Sequence, residues 1–193
     1  MSKLSQIESL FEKYKEEFKE EEIVLDEGNI NSNLMLIGEA PGKDEVRLSR
    51  PFVGAAGKNL SEFLNILGVE RQSIYVANAI KYRLSKINSK TGRIINRPAV
   101  KDEIKKSRIY LLNEVDIIRP KYIVTLGNTP LKSIMDDYNL NIGLLHGTLS
   151  KVKVLEHEYL LYPLYHPASI IYNVGLKEVY TSDLDKLKAI LAE

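Results

Sequence analysis

The chain has 193 residues, 44% hydrophobic and 27% charged, with a formal net charge of +1, which describes one compact domain with its own core rather than a disordered or fibrous chain. No apolar stretch approaches the roughly 20 residues that span a bilayer, and the opening residues lack the apolar core of a secretion signal, so a cytoplasmic protein with no membrane contact is expected. With no cysteine, disulfides, thiolate metal sites, cysteine-held iron–sulfur clusters and a cysteine nucleophile are excluded together.

Leu4, Ile7, Leu10, Phe11, Tyr14 and Phe18 recur at three- and four-residue spacing, which places them on one stripe of an N-terminal helix. Residues 1–28 read as a helical appendage, with nine acidic against four basic side chains. Apolar, β-branched or aromatic runs at 34–37, 73–78, 122–126 and 159–165 predict strands. Helical patterns at 56–67, 100–118, 129–138 and 177–191 separate and follow them, with stop signals at Gly68 and Pro120. Strands alternating with helices predict an α/β fold: a three-layer αβα sandwich around a central, mainly parallel four-stranded sheet, forming one domain over residues 1–193. The segment 82–98 shows neither period and reads as a long loop. Residues 148–158 predict an added edge strand or hairpin.

Charge is unevenly spread. Residues 81–108 hold ten basic side chains, among them Lys81, Arg83, Lys86, Lys90, Arg93 and Arg97, against Asp102 and Glu103. Such a run can meet phosphates, and it equally fits a solvated loop and the outer face of a helix.

The first predicted core strand ends in Gly38-Glu39-Ala40-Pro41-Gly42, followed by Pro51-Phe52-Val53-Gly54. A glycine-flanked carboxylate there sits where open α/β sheets place ligand sites, although the motif alone also fits a tight turn. It has neither Walker nor G-x-G-x-x-G spacing, so no phosphate cradle is indicated. Phe52, in a loop, can stack on a planar ligand or anchor that loop. Asn78, at a strand end, offers a donor and an acceptor side by side, as the edge of a pyrimidine requires, or caps a turn. His166, before Pro167 at the end of the last core strand, can donate a hydrogen bond to a leaving group or serve structure. His146 and His157 read as structural. Three histidines without short spacing make no zinc site, and no metal or cofactor is expected.

In this order the motifs resemble the uracil-DNA glycosylase superfamily, most closely its family four, from about Asn33 to the C-terminal helix. Gly38 to Gly42, Glu45, Pro51 to Gly54 and Ala56-Gly57 match that family in register. So do Tyr75-Val76-Ala77-Asn78, Lys81-Tyr82-Arg83, Asn96-Arg97-Pro98, Arg119-Pro120-Lys121, Leu126-Gly127 and His166-Pro167. Tyr82 and Ser107 stand where the family carries cysteines of an iron–sulfur cluster, Val46 replaces an acidic residue, and residues 88–93 expand the loop before Asn96. The resemblance implies a cluster-free relative whose loop is held by packing.

It also implies an activity, namely hydrolytic excision of uracil, or another deaminated base, from DNA at the start of base-excision repair. The nucleotide must leave the stack to be cut. Phe52 would then stack on the base and Asn78 read its edge, with Gly38, Ala40 and Pro41 lining the pocket. His166 would donate to the departing base, and Glu39 would position water or stabilise the cationic sugar, with Glu45 and Asn96 as second candidates. Gly54, Gly57, Lys81, Arg83, Arg97 and Ser169 would contact the DNA backbone, and residues 168–171 would supply an apolar wedge or simply start a helix. The expected partner is DNA, and the expected state is a monomer. Two rivals are a catalytically weak or inactive DNA-binding relative and a small-molecule nucleosidase on the same sheet.

Overall fold

The computed structural model describes residues 1–172 and 175–192. Helix α1 (Lys3–Glu17) starts at Ser2, whose hydroxyl accepts the Ser5 amide, and buries Ile7, Phe11 and Tyr14. Leu4 remains exposed. Ile7 and Phe11 pack with Met35, Ile37 and Leu111, so the segment read as an appendage is built into the core.

Six strands, rather than four, form the main sheet. In chain order these are β1 (Glu27–Gly28), β2 (Leu34–Gly38), β3 (Tyr75–Asn78), β6 (Tyr122–Leu126), β7 (Ser150–Val154) and β8 (His157–Leu164). Across the sheet they run β1-β3-β2-β6-β8-β7. The four inner strands are parallel and coincide with the four predicted runs. The additions are antiparallel edges: β7 pairs with β8, as the 148–158 segment predicted, and the two-residue β1, too short for a periodic signal, pairs with β3. The segment 82–98 is not an irregular loop. It contains a second sheet, the hairpin of β4 (Ser85–Ile87) and β5 (Ile94–Asn96).

Both faces of the main sheet are covered, because alternate residues of a strand point to opposite sides. Met35 and Ile37 meet Leu111, Leu112 and Val115 of α4 (Lys101–Ile118) and Leu131 of α5 (Asn128–Met135). Leu34 and Leu36 meet Leu60, Phe63 and Leu64 of α3 (Ala55–Leu67), and Leu184 and Leu187 of α8 (Leu176–Leu191). Every residue of β2 and β6 is buried, as expected of central parallel strands. Gly68 ends α3 at φ +70° and Arg119 ends α4 at φ +52°, just before Pro120. The short helices α2 (Lys43–Leu48), α6 (Ile142–Leu145) and α7 (Pro167–Tyr172) complete the layers. Among the described residues no helix is long and apolar enough to cross a membrane.

The chain runs from β2 to β3 on one side and returns to β6 on the other, so the sheet reverses its winding beside β2. In open α/β sheets the crevice outside the carboxyl ends at such a point is where ligands bind. Glu39, Asn78 and His166 all lie at these carboxyl ends.

Candidate active site

The crevice holds a cavity of about 370 Å³ lined by Glu39, Ala40, Pro41, Phe52, Asn78, Asn96 and His166, with Gly42, Glu45, Gly54 and Arg97 in its walls. Glu39 and Asn78, far apart in sequence, meet here because β2 and β3 are neighbours, and His166 joins them from the end of β8, beyond β6. A Cβ on Gly38 would collide with the Phe52 ring and lie 2.9 Å from Asn78 Oδ1. The missing side chain lets the aromatic ring and the amide meet over the end of β2.

Asn78 is buried, yet its side-chain amide makes no hydrogen bond among the described residues and opens into the cavity. Its main chain is fixed from both sides: the N–H donates to Asp26 Oδ1 (2.9 Å), and the carbonyl accepts from Lys81 Nζ (3.1 Å). Sequence reasoning missed Asp26, one of nine acidic residues among residues 1–28.

Phe52 has a left-handed backbone (φ +52°), costly for a bulky residue. Three groups hold it there. Arg71 donates to the carbonyls of Pro51 (2.7 Å) and Phe52 (3.3 Å), and Glu27 bridges Arg71 and Arg50. Hydrogen bonding from Arg50, aided by Arg71, holds the Glu27 carboxyl below its usual range. Glu45 accepts the amides of Val53 (3.1 Å) and Gly54 (2.8 Å) on one oxygen and that of Gly42 (3.1 Å) on the other. Glu45, expected as a second carboxylate for the chemistry, therefore organises the loop. Gly57 has its close approach to the Phe52 carbonyl, where a Cβ would collide, and the Gly54 amide is already taken by Glu45. Of the two amides expected to meet a DNA phosphate, that of Gly54 is therefore occupied, while Gly57 lies in the first turn of α3.

Glu39 anchors one oxygen on the Ala99 amide (3.0 Å), and its other oxygen has no donor among the described residues. His166 is half-buried, and its Nδ1 accepts the Ala168 amide (3.1 Å). In the neutral ring an accepting Nδ1 places the proton on Nε2. Burial lowers the pKa of His166, opposed only in part by Glu39, so the imidazole is neutral at pH 7 with an Nε2–H to give. Asn96 accepts from Arg83 Nε (3.1 Å), which leaves its NH₂ as the free end.

The basic residues divide unexpectedly. Lys81 is fully buried between Asp26 (2.6 Å) and Glu114 (2.7 Å) and cannot reach a phosphate. Burial alone would depress its pKa, but the two carboxylates hold it above its ordinary value. Arg83 is enclosed between Asn96 and Glu22, its side chain only 8% exposed. Arg97 forms a bidentate pair with Glu103 (2.6 and 2.8 Å) and bonds the Ser85 carbonyl, so its fork is occupied. All three are engaged inside the protein, because each found an acceptor there. Ser169 lies in the first turn of α7, its amide bonded to the His166 carbonyl. In the expected wedge at 168–171, the side chains of residues 170 and 171 lie outside the described residues.

Tyr82 and Ser107 do not fit an iron–sulfur cluster. Tyr14 fills the space between them: its hydroxyl bonds Ser107 Oγ (3.2 Å) and accepts the Lys81 amide (2.9 Å). The Phe18 ring packs against both Tyr14 (4.4 Å between centroids) and Tyr82 (5.2 Å).

Residues 25–188 match the model of the Uracil DNA glycosylase superfamily. The chain is 36% identical to a type-4 uracil-DNA glycosylase of Sulfurisphaera tokodaii, over 85% of this chain and 72% of that one. For the enzyme of the same name from Archaeoglobus fulgidus the identity is 34%, over 83% and 77%. For that of Thermotoga maritima it is 30%, over 88% and 83%.

Proposed function

The chain belongs to the uracil DNA glycosylase superfamily, and we propose that it hydrolyses the glycosidic bond of uracil in DNA as the first step of base-excision repair. The observation that carries this reading is the unpaired amide of buried Asn78, set beside the Phe52 ring in the cavity.

A base must be extruded from the stack to reach such a cavity. Phe52 gives it a stacking surface, worth about 1–3 kcal/mol in other single-strand sites. Asn78 presents an acceptor and a donor to the edge of uracil. Cytosine exchanges a carbonyl for an amino group and so leaves a buried group unpaired, at a cost of about 1–3 kcal/mol. As the bond breaks, the sugar becomes cationic and the base anionic. The Nε2–H of His166 donates to the base as charge develops, which for comparable preorganised donors contributes about 2.7–4 kcal/mol. The free oxygen of Glu39 orients water or faces the cationic sugar, with the other oxygen anchored at Ala99 so that the carboxylate does not swing away.

The test is release of free base from single- and double-stranded oligonucleotides containing uracil or hypoxanthine, with free deoxyuridine as a control. Uracil release from DNA is expected. Binding without release of any base would overturn the reading in favour of an inactive DNA-binding relative. Hydrolysis of deoxyuridine with none of DNA would favour a nucleosidase.

A further inference from the structure

The hairpin of β4 and β5 has a construction that the cavity does not explain. Ile87 and Ile94 are cross-strand partners and stand 72% and 60% exposed. Side chains alternate along a strand, so Ile94 lies on the same face of the hairpin as Asn96, two residues or about 7 Å further along. Asn96 lines the cavity. The apolar pair thus continues the cavity-facing surface outward from its mouth.

The hairpin also carries three free charges of the basic run, Lys106 on α4 being a further one outside it. Lys81, Arg83 and Arg97 are bound internally, and Lys101 and Lys105 lie over the Tyr138 ring. Lys86, Lys90 and Arg93 are exposed and have neither a carboxylate nor an aromatic ring as partner among the described residues. The tip is a built turn: Asn88 Oδ1 accepts the amides of Lys90 and Thr91, and the Asn88 amide donates to the Arg93 carbonyl. At its base the Arg97 amide and guanidinium hold the carbonyls of Leu84 and Ser85, and Glu103 locks that guanidinium. A rigid arm that carries an exposed apolar pair and unpaired cations beside a base-sized cavity matches one kind of partner, a polyanion with apolar faces.

We propose that this hairpin is a DNA-engaging arm: Ile87 and Ile94 cover the base faces uncovered when a nucleotide is extruded into the cavity, while Lys90 and Arg93 hold the adjoining phosphates. The inference rests on the reading of the cavity as a site for an extruded base. An apolar side chain against an opened base step offsets part of the cost of unstacking, and it does so only in a duplex, where the stack must be held open. Single-stranded DNA has no such requirement.

The experiment compares the full chain with Ile87→Ser/Ile94→Ser and with Lys90→Gln/Arg93→Gln. The first pair should lower single-turnover uracil release from duplex DNA by about tenfold, the equivalent of about 1.4 kcal/mol, while changing release from single-stranded DNA less than about twofold. It should also abolish the fluorescence change of 2-aminopurine placed next to an abasic site in a duplex. The second pair should flatten the dependence of log K on log salt by about 0.9 for each phosphate no longer neutralised. Both variants change exposed side chains, and an unchanged melting temperature excludes misfolding. Duplex release equal to wild type, or equal loss on both substrates, would overturn the arm. Absence of base release by the wild type would instead overturn the enzymatic reading, and the fluorescence and salt measurements would still decide the arm.

Discussion

Lys81 Nζ lies 3.1 Å from the carbonyl oxygen of Asn78, while the Asn78 amide donates to Asp26, the carboxylate paired with that same ammonium. The residue whose side chain opens into the cavity is therefore held through its own main chain by a buried ion cluster, completed by Glu114 and the Tyr75 hydroxyl (2.7 Å). Burial, reinforced by Glu114, pushes the carboxyl of Asp26 well above its usual range. Removing the ammonium leaves two carboxylates facing each other without water. Lys81→Met is expected to destabilise by about 3–5 kcal/mol, the usual cost of breaking a buried pair from one side. Urea unfolding measures this, and a loss below about 1 kcal/mol would show that the cluster does not hold the strand end.

The same logic applies to the other wall. Phe52 keeps its left-handed backbone while Arg71 holds the carbonyls on either side of the Pro51–Phe52 bond. Such strain costs about 1–3 kcal/mol and persists only where neighbours enforce it. Arg71→Met should lower kcat/KM for uracil DNA by about 5- to 150-fold, the range that about 1–3 kcal/mol allows. Arg71→Lys should recover part of the loss by restoring one donor. An Arg71→Met loss as large in the Phe52→Ala background as in the wild type would separate Arg71 from the stacking ring.

Much of this site was legible in the sequence, for a physical reason. Gly38, Phe52, Asn78 and His166 lie at or beside the carboxyl ends of parallel strands, and those ends are marked by apolar runs that stop at polar or glycine residues. The four inner strands were legible from the same runs. What could not be read is pairing through space. Lys81, Arg83 and Arg97 look like phosphate contacts in a basic run, and only the fold shows Asp26, Glu22, Glu103 and Asn96 waiting for them. Glu45 likewise looks like a spare carboxylate until three amides are seen to converge on it. The hairpin escaped notice because three-residue strands are too short to show a period, and Ile87 and Ile94 become a pair only once its turn is formed.

Tyr14 joins two positions that the sequence marked only by what they lack. Its hydroxyl bonds Ser107 and the Lys81 amide, inside a cluster with Phe18, Tyr82, Leu84 and Ile104. Tyr14→Phe keeps the ring and strands both partners, so a loss of about 1–3 kcal/mol is expected from buried groups left unpaired. Tyr14→Ala also opens a cavity and should cost about 3–5 kcal/mol, as for other large aromatic truncations. Thermal or urea unfolding distinguishes the two. A Tyr14→Phe variant as stable as wild type would mean that packing alone holds this corner.

His166 sets the response to acid. Its pKa lies below the ordinary imidazole value of 6.5, chiefly through burial, so the folded protein takes up this proton at lower pH than the unfolded chain does. Stability is therefore unaffected by His166 well above pH 6.5 and falls as pH drops through 6.5 toward the folded value. Activity should follow the neutral ring, because the Ala168 amide occupies Nδ1 and leaves Nε2–H as the donor that the proposed reaction uses. Single-turnover uracil release should stay flat from neutral pH down past 6.5 and decline only below it. An imidazolium donor would give the opposite sign, with the rate rising on acidification through that range. His166→Ala should lower the rate by about 10²- to 10³-fold, as loss of one preorganised donor does elsewhere, and remove the acid limb that this ring imposes. A variant with the wild-type rate would take His166 out of the chemistry.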